Sequence, residues 1–226
     1  MGMSNASTTL EPARTKKGGR TFERIREVAL DQFSRLGFER VTMADIARAA
    51  SISQPALHYH FEDKEELWRS AMGLLAQAIA EEERLIAAAR DASALTKLRI
   101  AMRHFLHLAW DCPALGRIVA LEGMAGGERL QWIVDNLIGE RNRRLVALIQ
   151  EAITAGDLKP YPPEQILILL QTGAVGATNL APLMRTNFGY DPDTEHARAA
   201  YEDLIVEAMT RGLAAGGTDN QEALRP

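Results

Sequence analysis

From Phe22 onward the apolar residues recur at three- and four-residue spacing, and no stretch alternates with period two. The first pattern lines one face of a helix, whereas the second marks a half-buried strand. The implied fold class is therefore all-α, with about nine helices. Phe22, Ile25, Ala29, Phe33 and Leu36 form the stripe of the first helix. Gly37 closes it, because glycine takes the left-handed cap conformation without a Cβ penalty. Further helices are predicted over residues 42–49, 53–61, 64–90, 94–110, 113–122, 128–155, 163–186 and 194–214. Pro113, Gly126-Gly127, Gly156-Asp157, Pro160 to Pro163 and Gly189 to Pro192 punctuate the breaks.

Residues 42–61 carry the most specific layout: a short helix, a three-residue turn and a second short helix. Thr42 is a good N-cap with Asp45 three residues on, a capping-box spacing. Ser53 caps the second helix, where Pro55 is tolerated in the first turn. Such a pair suits a DNA reader, in which the first helix braces and the second enters the major groove. With Leu57 and Phe61 facing inward, Ser53, Gln54, Ala56, His58 and Tyr59 are left toward the groove and its walls. Gln54 has the donor and acceptor to pair with adenine, and Ala56 can touch a thymine methyl. His58, Tyr59 and His60 offer donors to phosphate. Thr42 and Lys64 each sit at a helix start, where the dipole favours a phosphate.

Charge distribution agrees. The net charge is −4, yet residues 1–60 hold nine basic and six acidic side chains, against 17 and 24 in the rest. A mildly basic head on an acidic body suits a DNA reader with a separate second unit. Residues 1–19 are small, polar and basic and are expected to be a disordered tail whose Arg14, Lys16 and Lys17, with Arg20, can lie along phosphates. The single cysteine, Cys112, excludes an intramolecular disulfide and a cysteine-built zinc site, and fits a reducing cytoplasm. Residues 165–184 carry no charge, but Gln171, Thr172, Thr178, Asn179 and Pro182 interrupt them. A helix buried at a subunit interface accounts for them better than a membrane span.

Residues 20 to 68, including ERIREVALDQFSRLGFERVTMADIARAASISQPALHYHFEDKEELW, resemble the N-terminal DNA-binding domain of the TetR family of regulators. The resemblance takes in the phenylalanine-and-glycine end of the first helix, the VTMADIARAA brace, the Leu-x-x-x-Phe recognition helix and the Lys-Glu-Glu-Leu start of the fourth. Two positions depart from the family. Ser51 stands where a glycine is usual at the turn, which implies a conformational cost. His58 stands where a tyrosine usually meets a phosphate.

The resemblance implies four segments: a basic tail over 1–19, a helix-turn-helix domain over 20–66, a helical ligand-binding and dimerisation domain over 67–214, and a frayed tail over 215–226. It also implies a cytoplasmic homodimeric repressor of a palindromic DNA operator, released by a small-molecule effector, with no enzymatic activity and no cofactor. For the dimer contact, the last two long helices offer Gly173, Ala177 and Ala181, then Tyr201, Leu204, Ile205, Ala208 and Met209. For an effector pocket, mixed aromatic and polar positions stand out: Met102, His104, Phe105, His107, Trp110, Met124, Trp132, Gln171, Thr178 and Asn179.

A rival reading is a helical enzyme or metal-binding protein with an incidental helix-turn-helix. His104, His107 and Asp111 share one helical face, with Glu122 nearby, and would be its metal ligands. Surface or core histidines explain that spacing better, so no metal ligand is predicted. No nucleophile–base pair, phosphate loop or paired-carboxylate motif supports an enzyme.

Overall fold

The computed structural model describes residues 16–214. Eleven α-helices occupy them: α1 (Lys16–Leu36), α2 (Met43–Ala49), α3 (Gln54–His58), α4 (Lys64–Ala88), α5 (Ala94–Asp111), α6 (Pro113–Ala125), α7 (Glu128–Ile133), α8 (Gly139–Thr154), α9 (Pro163–Asn179), α10 (Ala181–Phe188) and α11 (Glu195–Gly212). One π-helical turn, Val134–Ile138, joins α7 to α8. Among the described residues there is no sheet, only one isolated bridge between Leu158 and Ala214.

The stripe on α1 buries Ile25, Ala29 and Phe33, and Gly37 ends the helix at φ +78 with its N–H on the Phe33 carbonyl. Phe38 then turns back to stack on Phe33, 5.6 Å between centroids. Helices α1 to α4 enclose one core with Ile46, Leu57, Phe61, Leu67 and Trp68, and that core continues into Leu115 and Ile118 of α6 and Ile133 of α7. The predicted domain boundary at 66/67 thus falls inside α4, a helix that serves both halves. A second core joins α5, α8, α9 and α11 through Leu98, Leu145, Ile149, Leu167 and Val206.

Four expectations are corrected. Helix α1 begins at Lys16, so residues 16–19 are helical and not part of a tail; the rest of that tail, with Arg14, and residues 215–226 lie outside the described residues. The recognition helix ends at His58, short of residue 61. The predicted 128–155 helix is interrupted by the π turn. The predicted 163–186 helix breaks at Leu180 and bends by 60°. Pro182 causes the break, since it lacks an N–H and its ring clashes with the carbonyl four residues back. Among the described residues no single helix is long and apolar enough to cross a membrane.

Ser51 is the only non-glycine with positive φ among the described residues, at +53. It closes α2 in a Schellman pattern: its N–H bonds to Arg48 O and that of Ile52 to Ala47 O, both at 3.0 Å. A left-handed L-residue costs roughly 1–2 kcal/mol, part of which glycine returns as unfolded-state freedom. Ser51→Gly should therefore stabilise the protein by about 0.5–1 kcal/mol in urea unfolding. A loss of stability would mean that the serine side chain contributes more than its backbone costs.

Candidate nucleic-acid interface and interior cavity

Ser53 starts α3 by accepting the Ala56 N–H at 3.3 Å, and Pro55 occupies the first turn. This fixes the rotation of the helix. Leu57 is fully buried and Phe61 nearly so, while Ser53, Gln54 and His58 are exposed and Ala56 is half-buried. Tyr59 is 87% exposed. A large ring left in water at the end of a short, well-capped helix has no role in the core. His60 is half-buried beside the Phe22 ring, 6.1 Å between centroids, so it packs against α1.

Two further predicted phosphate contacts, Thr42 and Lys64, also engage other groups. The Thr42 hydroxyl donates to Asp45 Oδ2 at 2.6 Å and accepts the Asp45 N–H, while the Thr42 N–H reaches the same carboxylate. The capping box is complete. The Thr42 hydroxyl, the Thr42 N–H and Arg48 hold the Asp45 carboxyl below its ordinary value. The box therefore supports α2 at neutral pH and weakens as pH falls through the carboxylate range. The Lys64 ammonium turns inward, donating to the Phe38 carbonyl at 3.0 Å and lying 4.1 Å from the Phe38 ring centroid. Arg129 approaches the same ring, also at 4.1 Å. Lys64 thus braces the α1–α2 loop.

Between α4, α5, α6, α8 and α9 lies a cavity of about 180 Å³, with Ile79 contributed by α4. Phe105, Leu115, Val119, Ile138 and Val175 form its apolar walls, with Arg141, Gln171 and Thr172 as the polar ones. It opens beside Ala120, Ile168 and Thr172, all exposed. Phe105, Arg141 and Gln171 also border a much smaller lobe of about 20 Å³, reaching Met102 and Leu145.

Of the predicted pocket residues, Met102, Phe105 and Gln171 meet at these two lobes. The others do not. Met124 is 80% exposed at the end of α6. Trp132 packs edge-on against Trp68, 5.3 Å between centroids. The Thr178 hydroxyl bonds back to Val175 O, and Asn179 borders a surface cleft with Ser34 and Arg117. His104 is half-buried on α5 and borders neither lobe. His107 pairs with Glu202 at 3.0 Å, and Trp110 lies near Tyr201 and Arg198.

The imagined metal ligands do not converge either. Buried Glu122 pairs with Arg129 at 3.2 Å, and Arg129 reaches on to Glu39 at 2.9 Å. Among the described residues no group of three or more His, Cys, Asp or Glu could hold a metal ion.

Arg141 is the cavity residue that periodicity does not single out. The signal lies in the register: 141 falls on the same face as Ile138, Leu145 and Ile149, where an apolar residue is expected, and it is 5% exposed.

The small-residue stripe acts inside the protomer at its first and last positions. Tyr201 donates its hydroxyl to Gly173 O at 2.5 Å, a Cβ on Gly173 would lie 3.2 Å from Ile205, and Ala181 is buried. Ala177 is half-buried. Ile205 and Met209 pack against the second core, whereas Leu204 and Ala208 stay exposed.

Residues 25–71 match the model of the bacterial regulatory proteins of the tetR family. The HTH-type transcriptional regulator RutR of Escherichia coli strain K12 is 27% identical over 161 residues, 70% of this chain and 74% of that one. The nucleoid occlusion factor SlmA of Vibrio vulnificus is 25% identical over 182 residues, 80% and 91% of the two chains. Among solved structures, the ketosteroid transcriptional regulator KstR2 of Mycobacterium tuberculosis superimposes with a TM-score of 0.67 at 18% identity, covering 85% of this chain and 94% of its own. AibR, solved with isovaleryl coenzyme A and operator DNA, gives 0.65 at 19%, covering 84% and 98%. At these identities the two structures share the fold.

Proposed function

Because the chain belongs to the TetR family of bacterial regulatory proteins, a family of sequence-specific DNA-binding regulators, we propose that it is a homodimeric cytoplasmic repressor that leaves its operator when a small, largely apolar molecule enters the cavity. The observation that carries the reading is α3 itself. Its buried face is anchored by Leu57, and its outer face presents Gln54, His58 and Tyr59 to solvent.

A second copy of the chain is the partner that DNA geometry asks for. Two readers engage half-sites about one helical turn apart, which makes the operator palindromic. Exposed Leu169, Leu180, Leu183, Phe188 and Leu204 on α9 to α11 supply the apolar surface for that contact. The cavity supports ligand release, since a molecule that favours one spacing of the two readers shifts the population toward it.

Selection of duplexes from a random library, followed by fluorescence anisotropy at several salt concentrations, tests the reading. A palindromic site with a steep salt slope is expected. Gln54→Ala should weaken that site by about 1–3 kcal/mol and relax the preference at one base pair per half-site. Binding without sequence preference would overturn the proposal.

A further inference from the structure

We propose that Arg129 is a positioning residue for DNA recognition: by tying the α1–α2 loop to α6 it fixes the tilt of the helix-turn-helix, and with it the half-site spacing that the dimer accepts. The inference rests on the reading of the chain as a homodimer on a palindromic operator. Arg129 is the second residue of α7, and its guanidinium reaches two other elements. Its Nε donates to the two carboxylate oxygens of Glu122 on α6, at 3.3 and 3.2 Å. Its Nη2 donates to Glu39 in the α1–α2 loop at 2.9 Å. Its Cζ lies 4.1 Å from the centroid of the Phe38 ring in the same loop. Lys64 holds that loop from α4, with its ammonium on the Phe38 carbonyl and near the ring. The loop leads straight into the bracing helix. The N–H of buried Val41 bonds to the Phe38 carbonyl, and Thr42 caps α2.

The apolar core shared by α1, α4, α6 and α7 holds the two halves together, but hydrophobic contact has no preferred direction. A guanidinium bonded to carboxylates does, because its donors lie in one plane. Stability is not what these pairs chiefly supply. Glu122 is 5% exposed, and a buried ion pair gains little over apolar side chains of the same volume. Glu39 lies at the surface, where a pair contributes little. What the chain Glu122–Arg129–Glu39 adds is orientation. DNA rewards it: a half-site moved by one base pair is displaced by about 3.4 Å and rotated by roughly 35°. A reader with a free tilt follows such a shift, and a reader held at Arg129 does not.

Anisotropy of the full chain on its selected palindrome, and on duplexes with the half-sites one base pair closer or farther apart, tests this. The unaltered protein is expected to favour one spacing by at least about tenfold. Glu122→Gln together with Arg129→Gln removes both charges, so no buried carboxylate is left alone. This double variant should reduce the preference to about threefold or less and keep the base preference within each half-site. Arg129→Lys retains the charge without the fork and should fall between. A purely structural role would lower the melting temperature and all affinities together, leaving the ratio between spacings as it was. An unchanged ratio in the folded double variant overturns the proposal. If that variant melts below the assay temperature, Arg129→Lys decides, and a ratio equal to that of the unaltered protein overturns the proposal as well. Palindrome binding by the unaltered protein with equal affinity at neighbouring spacings overturns this inference alone. Single half-sites bound as tightly as palindromes overturn the homodimeric reading and this inference with it.

Discussion

Trp68→Ala should lower the stability of the protein by about 3–5 kcal/mol, the largest effect expected of any single truncation here. Trp68 is 1% exposed and belongs to the core shared by both halves. Its indole meets Phe38 edge-on at 6.4 Å and Trp132 at 5.3 Å, so removing it leaves a void between the helix-turn-helix and α7. Domains are commonly stable by only about 5–15 kcal/mol, so the loss is a large share of the whole. The melting temperature should fall by roughly 10 °C. Trp68→Phe keeps most of the volume and should cost well under half as much. Urea unfolding followed by far-UV circular dichroism measures both. A loss below about 1.5 kcal/mol for the alanine variant would show that neighbouring side chains collapse into the space.

Gly139→Ala should be the next most damaging change, although it adds only a methyl group. The Gly139 N–H closes the π turn on the Val134 carbonyl oxygen. A Cβ built on Gly139 falls far inside contact distance of that oxygen and 3.2 Å from Val134 Cγ1. The first obstacle is backbone, which cannot rotate aside as a side chain does. Overpacking of this kind costs about 1–3 kcal/mol, and the upper end is expected here. The same urea series checks it. Unaltered stability would mean that the turn rearranges freely.

The DNA-reading end was legible in the sequence because its determinants are local. The Thr42–Asp45 pair, the Ser53 cap, the Leu57 and Phe61 spacing and the suspect Ser51 each act within about six residues, and each has the local geometry its residue type implies. The cavity was not legible in the same way. Met102, Phe105 and Arg141 meet only because α5 packs against α8. Helical spacing tells which side chains turn inward but not which of them border a void. Met124 and Trp132 show the limit from the other side: one faces water, the other fills the junction with the DNA-reading core. The break at Leu180 had its signal in Pro182, outweighed by the continuous apolar composition around it. The π turn between α7 and α8 had no comparable mark, since Gly139 stands in a sequence that otherwise keeps its helical repeat.

That π turn sets an angle. Successive residues of an α-helix advance by about 100° around the axis, and a π turn inserts one residue beyond the regular count. Helices α7 and α8 therefore follow each other along the chain but are out of phase by roughly that amount. Trp132, before the turn, meets Trp68 on the DNA-reading side, and Arg141, after it, lies over the Phe105 ring on the cavity side. The π turn thus stands between the two halves: Trp132, just before it, packs on the DNA-reading core, and Ile138, its last residue, borders the cavity.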